Sequence, residues 1–314
     1  MSTKVAVIGA GFIGRSWSMV FARAGYDVSL YDVSSEALEQ AMELLEENLT
    51  DLETNKLIGS HLEVNARIKA VTDLEEAING VDWVQENALE KVEIKRELFD
   101  EMDRLLPVKT IIASSTSAIP CSEISAGMKG AARMLVAHPA NPPYLLPIVE
   151  LSGSPCTSDD TIKRSRIFLE QVGMEVITIK KETRGFVLNR LQVALLHEAF
   201  KLIEDGVVSG EDLDKTLKHG LGLRWSFMGP METIDLNAPG GIRDYLERFG
   251  PSFGLIAEEQ SQMRPWDSKK YLNLEKDRRS VIGENELNER AKWRDRRLMA
   301  LTRHKMEADE EFGK

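Results

Sequence analysis

Short apolar runs alternate with longer amphipathic stretches through the first 180 residues of the chain. Apolar residues at helical spacing predict helices over residues 35–57, 92–106 and 159–172. The runs that predict strands are Val5–Ile8, Asp27–Asp32, Ile68–Val71, Trp83–Glu86, Thr110–Ala113, Met134–Ala137, Ile148–Leu151 and Glu175–Ile179. Because strands that alternate with helices are typical of parallel sheets with helical crossovers, we predict an α/β fold with a doubly wound, mostly parallel sheet.

The pattern changes after Lys181, where strand signals stop and helical spacing continues alone. Phe186–Glu204 predicts a long helix, and Ser209 predicts the N-cap of the next one. Glycine and proline in Gly220–Pro230 and Pro239–Gly241 predict loops between helices. The sequence therefore predicts two domains, one with the sheet over residues 1–182 and one that is all α-helical over residues 183–314.

The first predicted strand runs directly into Gly9-Ala10-Gly11-Phe12-Ile13-Gly14 and then into a helical pattern. In such a unit the first glycine allows a sharp turn, the second leaves room for a pyrophosphate, and the third lets the helix pack closely on the sheet. The N–H groups and dipole of the new helix stabilise the phosphates. We predict a Rossmann-type dinucleotide site that includes Gly9, Gly11, Phe12, Ile13 and Gly14.

Asp32 ends the second predicted strand, about 20 residues beyond the glycines, where a ribose 2′-hydroxyl is expected. A carboxylate at this position would repel a 2′-phosphate, and no arginine follows in Val33-Ser34-Ser35. The cofactor predicted from the residues is therefore NAD rather than NADP. FAD also binds this motif, but no second flavin signature is visible.

The charge and composition of the chain narrow the classes of partner. A formal net charge of −11 over 314 residues repels nucleic acid and anionic membranes. No apolar run approaches the roughly 18 to 20 residues that a transmembrane helix needs. The first strand begins after four residues, which leaves no space for a signal peptide, so we expect a cytoplasmic protein.

Cysteine and histidine usage predicts no metal site. Cys121 and Cys156 lie far apart and outside any C-x-x-C pattern, and the five histidines form no metal-binding motif. We expect both cysteines to be reduced thiols.

His138 and Glu150 are the best candidates for chemistry. His138 closes an apolar run and precedes Pro139-Ala140-Asn141-Pro142-Pro143, which predicts neither helix nor central strand. An imidazole at the carboxyl end of a strand can accept the proton of an alcohol that loses hydride. Glu150 ends another apolar run, and a buried carboxylate needs a partner. Paired with the imidazole, it would fix the tautomer and stabilise the imidazolium.

Several segments, in order along nearly the whole chain, resemble the 3-hydroxyacyl-CoA dehydrogenase superfamily, most closely its lambda-crystallin or L-gulonate 3-dehydrogenase branch. These segments are Gly9–Gly14, Ser114–Ser117, His138–Pro143, Pro147–Leu151 and Gly185–Arg190. The resemblance implies an active site of Ser117, His138, Glu150 and Asn189, with the serine and the asparagine holding the reacting oxygen. It also implies that Glu90 and Lys95 lie near the cofactor, that Asn141 contacts substrate, and that the protein is a homodimer.

Gly220–Pro230 departs from the fatty-acyl members of this superfamily, because it contains Arg224. A guanidinium binds a free carboxylate in bidentate fashion, whereas a thioester carries no charge to pair with. We therefore expect NAD-dependent oxidation of the 3-hydroxyl of a small free hydroxy acid, as in an L-gulonate 3-dehydrogenase. The alternatives are a 3-hydroxyacyl-CoA dehydrogenase, an L-carnitine dehydrogenase with Trp225 and Phe227 around the ammonium group, and a crystallin-like structural protein.

Overall fold

The computed structural model describes residues 4–313 and contains an eight-stranded sheet in the order β3-β2-β1-β4-β5-β6-β7-β8. All neighbouring strands are parallel except β6 and β7, which are antiparallel. The strands are β1 Lys4–Ile8, β2 Asp27–Tyr31, β3 Ile68–Val71, β4 Trp83–Glu86, β5 Ile111–Ser114, β6 Met134–Pro139, β7 Ile148–Gly153 and β8 Glu175–Ile179. The predicted doubly wound, mostly parallel α/β fold is confirmed.

Both faces of the sheet are covered, which explains why the inner strands β1, β5 and β6 consist largely of apolar residues. In β1, Val5 and Val7 belong to one hydrophobic cluster, and Ala6 and Ile8 belong to the other. The helices around the sheet are α1 Phe12–Arg23, α2 Ser35–Thr54, α3 His61–Asn65, α4 Leu74–Ile78, α5 Val92–Leu105, α6 Cys121–Ser125 and α7 Asp159–Gln171. Helix α8, Leu188–Glu204, follows β8 along the chain. The short helices α3, α4 and α6 have no counterpart in the sequence pattern.

The remaining helices confirm the predicted all-α region. They are α9 Gly210–Thr216, α10 Gly222–Trp225, α11 Pro230–Leu236, α12 Gly241–Gln260, α13 Leu272–Val281 and α14 Leu287–Phe312. Ser209 is the N-cap of α9, as predicted, and its hydroxyl accepts the N–H of Asp212. Among residues 4–313, no helix has the length and apolar character that crossing a membrane requires.

Two compact units make up the chain. Of the described residues, 4–190 and 293–313 form one unit, and Leu191–Lys292 form the other. In the first unit, the hydroxyl of Tyr144 donates to Asp295 of α14 at 3.1 Å, and Met299 of the same helix is buried. The last helix therefore returns to the sheet-bearing unit. The boundary after residue 182 stays a prediction from the sequence.

Local structure corrects the sequence analysis in two places. Strand β6 continues through His138 and ends at Pro139. A proline is tolerated there because the next residue, Ala140, provides the N–H that donates to the backbone oxygen of Ile148. Gly220–Pro230 is not simply a loop, since a π-helical turn over Leu217–Leu221 continues α9 directly into α10.

Candidate active site

The antiparallel pairing of β6 with β7 sets His138 directly opposite Glu150. Residues that are opposite each other in such a pair have their side chains on the same face of the sheet. Nδ1 of His138 lies 2.8 Å from Oε2 of Glu150, and the two side chains are 7% and 1% exposed. The structure thus contains a buried imidazole–carboxylate pair.

The second carboxylate oxygen of Glu150 is held by the start of α8. Oε1 accepts the backbone N–H groups of Val187 at 2.8 Å and Leu188 at 3.0 Å. Burial alone would raise the pKa of Glu150, but the hydrogen bonds from His138 and from these two N–H groups bring the pKa below its ordinary value. An ionised carboxylate only accepts hydrogen bonds, so Nδ1 of His138 carries the proton. The lone pair of Nε2 is then free to accept another proton.

A strained turn before α8 builds this arrangement. Phe186 has a φ of 53°, in the left-handed region that non-glycine residues rarely adopt, and Gly185 before it has a φ of 75°. The Phe186 ring is buried with its centroid 5.3 Å from that of His138. The turn therefore places one apolar wall against the imidazole and directs two N–H groups at its carboxylate partner.

Ser117 and Asn189 are joined in the same unit. The side-chain amide of Asn189 donates to the backbone oxygen of Ser117 at 2.7 Å. Glu90 holds the other side of Ser117, because its Oε1 accepts the backbone N–H at 2.8 Å and the hydroxyl at 3.2 Å. Since Asn189 follows the N–H groups that bind Glu150, all four residues predicted to be catalytic are connected through the start of α8.

A buried ion pair between Lys95 and Glu86 lies next to Glu90. Nζ of Lys95 lies 2.9 Å from Oε1 of Glu86 and 3.4 Å from Oε2 of Glu90. Lys95 and Glu86 are 1% and 0% exposed, and Glu86 also accepts the Ser114 hydroxyl at 2.5 Å and the N–H of Ala88 at 2.6 Å. Lys95 lies in the interior, while Glu90 is exposed. Sequence reasoning missed Glu86, although a carboxylate that ends a strand begun by Trp83 and Val84 was the available signal.

The glycine turn has the form of a dinucleotide cradle. A Cβ at Gly9, where φ is +98°, would lie 2.8 Å from the Asn87 oxygen, and one at Gly14 would lie 1.8 Å from the Gly9 oxygen. The protein itself therefore requires glycine at both positions. A Cβ at Gly11 would have no atom within 4 Å, so the chain leaves open space where a pyrophosphate would approach.

The N-terminus of α1 fits an anionic group as well. Its first turn has no acidic residue, and Gly11 provides no capping side chain. By contrast, α2, α3, α4 and α7 each begin with a capping Ser or Asp side chain and an acidic first turn. The unpaired N–H groups of Phe12 and Ile13 are those that would hold the phosphates of a dinucleotide.

Asp32 lies immediately after β2 and is tied to this turn. Its Oδ2 accepts the N–H of Ala10 at 2.9 Å, and its Oδ1 accepts the N–H of Ser34 at 3.2 Å. Each oxygen keeps a lone pair for a ribose hydroxyl.

A polar network beneath the glycine turn was not foreseen from the sequence. The hydroxyl of Ser115 donates to Asn87 at 2.7 Å and accepts from Trp17 at 3.0 Å and from Gln85 at 2.7 Å. Gln85 also donates to the backbone oxygen of Ala137 at 3.3 Å. The network thus connects the cradle to the residue before His138.

The two residues predicted to contact substrate are placed separately. Asn141 is exposed in the connection that follows β6. Arg224 belongs to the other unit, where it lines a cleft of about 550 Å³ together with Leu223 and Phe227, and its Nε is inaccessible to solvent and has no hydrogen-bond partner.

A doubly wound sheet whose first crossover begins with such a cradle is the fold of dinucleotide-binding oxidoreductases. The family described as "3-hydroxyacyl-CoA dehydrogenase, NAD binding domain" matches residues 4–183, and "3-hydroxyacyl-CoA dehydrogenase, C-terminal domain" matches residues 185–278. The chain belongs to the 3-hydroxyacyl-CoA dehydrogenase family of NAD-dependent dehydrogenases that act on CH–OH groups.

Individual relatives differ in their described roles. The chain is 34% identical to the lambda-crystallin homolog of Homo sapiens, with 96% of each chain covered. It is 38% identical to L-carnitine dehydrogenase of Oceanobacillus iheyensis over 80% of this chain and 82% of that one. A solved structure of 5-formyl-3-hydroxy-2-methylpyridine 4-carboxylic acid 5-dehydrogenase, an NAD⁺-dependent dismutase, superposes with a TM-score of 0.83 at 29% identity, covering 96% and 98% of the two chains.

Proposed function

We propose that the protein oxidises the 3-hydroxyl of a small free hydroxy acid with NAD, in the manner of an L-gulonate 3-dehydrogenase. The observation that carries this proposal is the buried pair of His138 and Glu150, in which the carboxylate fixes the imidazole with Nε2 as the proton acceptor. Bound NAD supplies the hydride acceptor. His138 takes the hydroxyl proton as the C–H hydride leaves the same carbon, which becomes a carbonyl.

Glu150, Ser117 and Asn189 have distinct roles in this proposal. Glu150 stabilises the imidazolium that forms on His138. The Asn189 amide keeps one N–H beyond its bond to Ser117, and this N–H can hold the reacting oxygen. The Ser117 hydroxyl becomes a second donor when it turns from Glu90, which still holds the Ser117 backbone N–H.

Arg224 supports a free carboxylate as the substrate group. Its Nε is inaccessible to solvent and has no hydrogen-bond partner, and the residue lines a cleft. A bound carboxylate would supply the missing partner. The similar dismutase carries a carboxylic acid in the name of its substrate. A thioester would offer no charge to this group.

We expect Arg224→Met to lower kcat/KM for the free hydroxy acid by about 10- to 100-fold, because a hydrogen bond to a charged group contributes about 1.5–3 kcal/mol. The matching CoA thioester should lose less than about threefold. Steady-state kinetics with both substrates measures the difference, and Arg243→Met, at an exposed arginine of the same unit, is the control. Equal losses for acid and thioester would contradict a carboxylate-binding role.

L-Carnitine is the second candidate, because two aromatic residues lie close to Arg224. Phe227 lines the same cleft, and Trp225 is the next residue in the sequence. The arginine would pair with the carboxylate and the aromatic rings with the quaternary ammonium. A spectrophotometric panel of L-gulonate, 3-hydroxybutyrate, carnitine and 3-hydroxybutyryl-CoA, each with NAD and NADP, separates the candidates. Absence of NADH formation with every substrate would favour the crystallin-like structural role.

A homodimer fits the surface of α12. Five apolar side chains at helical spacing form an exposed stripe along this helix, namely Ile242, Leu246, Phe249, Phe253 and Ile256. A second copy related by a two-fold axis would bury the stripe against its equivalent. The homodimer and the cytoplasmic location stay predictions.

Phe249→Glu should convert the dimer to monomer, because two like charges would be buried in a symmetric contact. Light scattering after size-exclusion chromatography gives the mass, and Glu247→Lys, at an exposed polar position of the same helix, should remain dimeric. A dimer that survives the glutamate would place the interface elsewhere.

A further inference from the structure

Two arginines stand apart from the others in the described part of the chain. Among residues 4–313, Arg15 and Arg224 alone combine a solvent-inaccessible Nε with a guanidinium that has no hydrogen bond and no ion pair. Arg133 also has an unpaired Nε, but its other two nitrogens make five hydrogen bonds. In a chain with 51 acidic residues, an arginine whose Nε is inaccessible to solvent and which has no carboxylate partner needs an explanation.

Arg15 follows the last glycine of the cradle directly. Long side chains of a helix extend over the preceding turn, toward the N-terminus. The guanidinium carbon of Arg15 accordingly lies 5.8 Å from the centre of the Phe12 ring, and Phe12 is the residue next to Gly11. The cation therefore lies beside the side chain of the first residue of α1, next to the turn where the N–H groups are unpaired and the space at Gly11 is open.

Among residues 4–313, no carboxylate forms an ion pair with Arg15. Partial burial lowers the pKa of its guanidinium, and within these residues the titratable group that acts on it is the Tyr144 phenol. That phenol is neutral near pH 7, because burial and the neighbouring Asp295 raise its pKa. The site thus has one partly desolvated positive charge, a helix N-terminus and no acidic residue in the first turn of the helix.

We propose that Arg15 is a cofactor-binding residue whose guanidinium pairs with the diphosphate of NAD. A planar guanidinium binds phosphate oxygens in bidentate fashion, so it adds a charged clamp to the N–H groups of the glycine turn. The inference rests on NAD binding, and it does not depend on which hydroxy acid is oxidised.

The test is equilibrium binding without any hydroxy acid. NADH fluorescence titration of Arg15→Met should give a Kd about 10- to 100-fold above that of the wild type. Competition with ADP-ribose, which retains the diphosphate, should weaken by a similar factor. Arg15→Lys keeps the charge but loses the fork, and its Kd should lie between the two. Arg104→Met, at an exposed arginine of α5, should bind as the wild type does.

Two further readouts separate cofactor binding from a structural role. Salt should weaken NADH binding less steeply in Arg15→Met than in the wild type, because one phosphate contact is gone. Removing an unpaired, partly desolvated charge should leave the Tm of the ligand-free protein unchanged or higher, while the rise in Tm caused by NADH becomes smaller.

Other results would overturn the proposal. If the Kd values of NADH and ADP-ribose stay within twofold of the wild type, Arg15 does not contact the diphosphate. If those values are unchanged and KM for the hydroxy acid rises instead, Arg15 binds the substrate carboxylate. A ligand-free Arg15→Met that unfolds at a clearly lower Tm would show that the residue is structural.

Discussion

Replacing His138 with glutamine is expected to lower kcat for the hydroxy acid by about 10²- to 10⁴-fold, because a positioned general base contributes about that factor. Glutamine retains polarity at the site but has no nitrogen that accepts a proton near neutral pH. The Kd of NADH, measured by fluorescence titration, should remain close to that of the wild type, since the glycine cradle is untouched. His304→Gln, at an exposed histidine of α14, is the matched control.

The pH dependence of the rate gives a second check on the pair. The wild-type rate should not change with pH through protonation of Glu150 until the solution is acidic, because the pKa of Glu150 lies below its ordinary value and the carboxylate keeps its charge at higher pH. The folded-state stability that comes from the lowered pKa of Glu150 is fully present above the ordinary glutamate pKa of about 4.3. It is lost only as the pH falls through the lowered pKa. A variant without His138 that turns over normally would end the proposed mechanism.

Lys95→Met is expected to lower the free energy of unfolding by about 3–5 kcal/mol, because it leaves the Glu86 carboxylate buried without its counter-charge. Glu86 has no exposed surface, and its remaining partners are neutral donors. Chemical denaturation followed by circular dichroism measures the change. Lys91→Met, at an exposed lysine just before α5, should alter stability by less than about 0.5 kcal/mol.

A double variant distinguishes the loss of the ion pair from a simple packing defect. Glu86→Gln combined with Lys95→Met removes both charges and keeps an acceptor for the Ser114 hydroxyl, so it should recover part of the stability lost in the single variant. Additive losses would show that charge burial is not the cause. Because Lys95 also contacts Glu90, which holds Ser117, the single variant should lower kcat more than it changes the Kd of NADH.

The elements of the sheet-bearing region could be predicted closely because their signals are local. Strands β3, β4 and β8 have the predicted bounds, and α2 begins at the predicted Ser35. The antiparallel pairing of β6 and β7 was missed, although only residues 140–147 connect them. A parallel return needs a crossover of a dozen or more residues, so the length of this connection was a usable signal.

Burial and pairing explain most of what was missed at the site. Lys95 reads as one more charge on an amphipathic helix, yet α5 packs so that this side chain is 1% exposed against Glu86. The position of Arg15 directly after the third glycine is plain from the sequence. That the residue has no carboxylate partner is seen only in the structure. Ser117 and Asn189 were predicted from family resemblance alone, since neither residue type is distinctive in a turn or at a helix start.

The alternation of strands and helices, the glycine turn and the carboxylate just after β2 follow from the amino-acid sequence, because each depends on neighbours within one β–α–β unit. The folded chain was needed to show that Glu150 accepts hydrogen bonds from both an imidazole and the first N–H groups of α8, and that Glu90 holds Ser117. These contacts join residues 12 to 37 positions apart. Such pairings depend on strand register and on the packing of whole elements, which no local pattern of residues encodes.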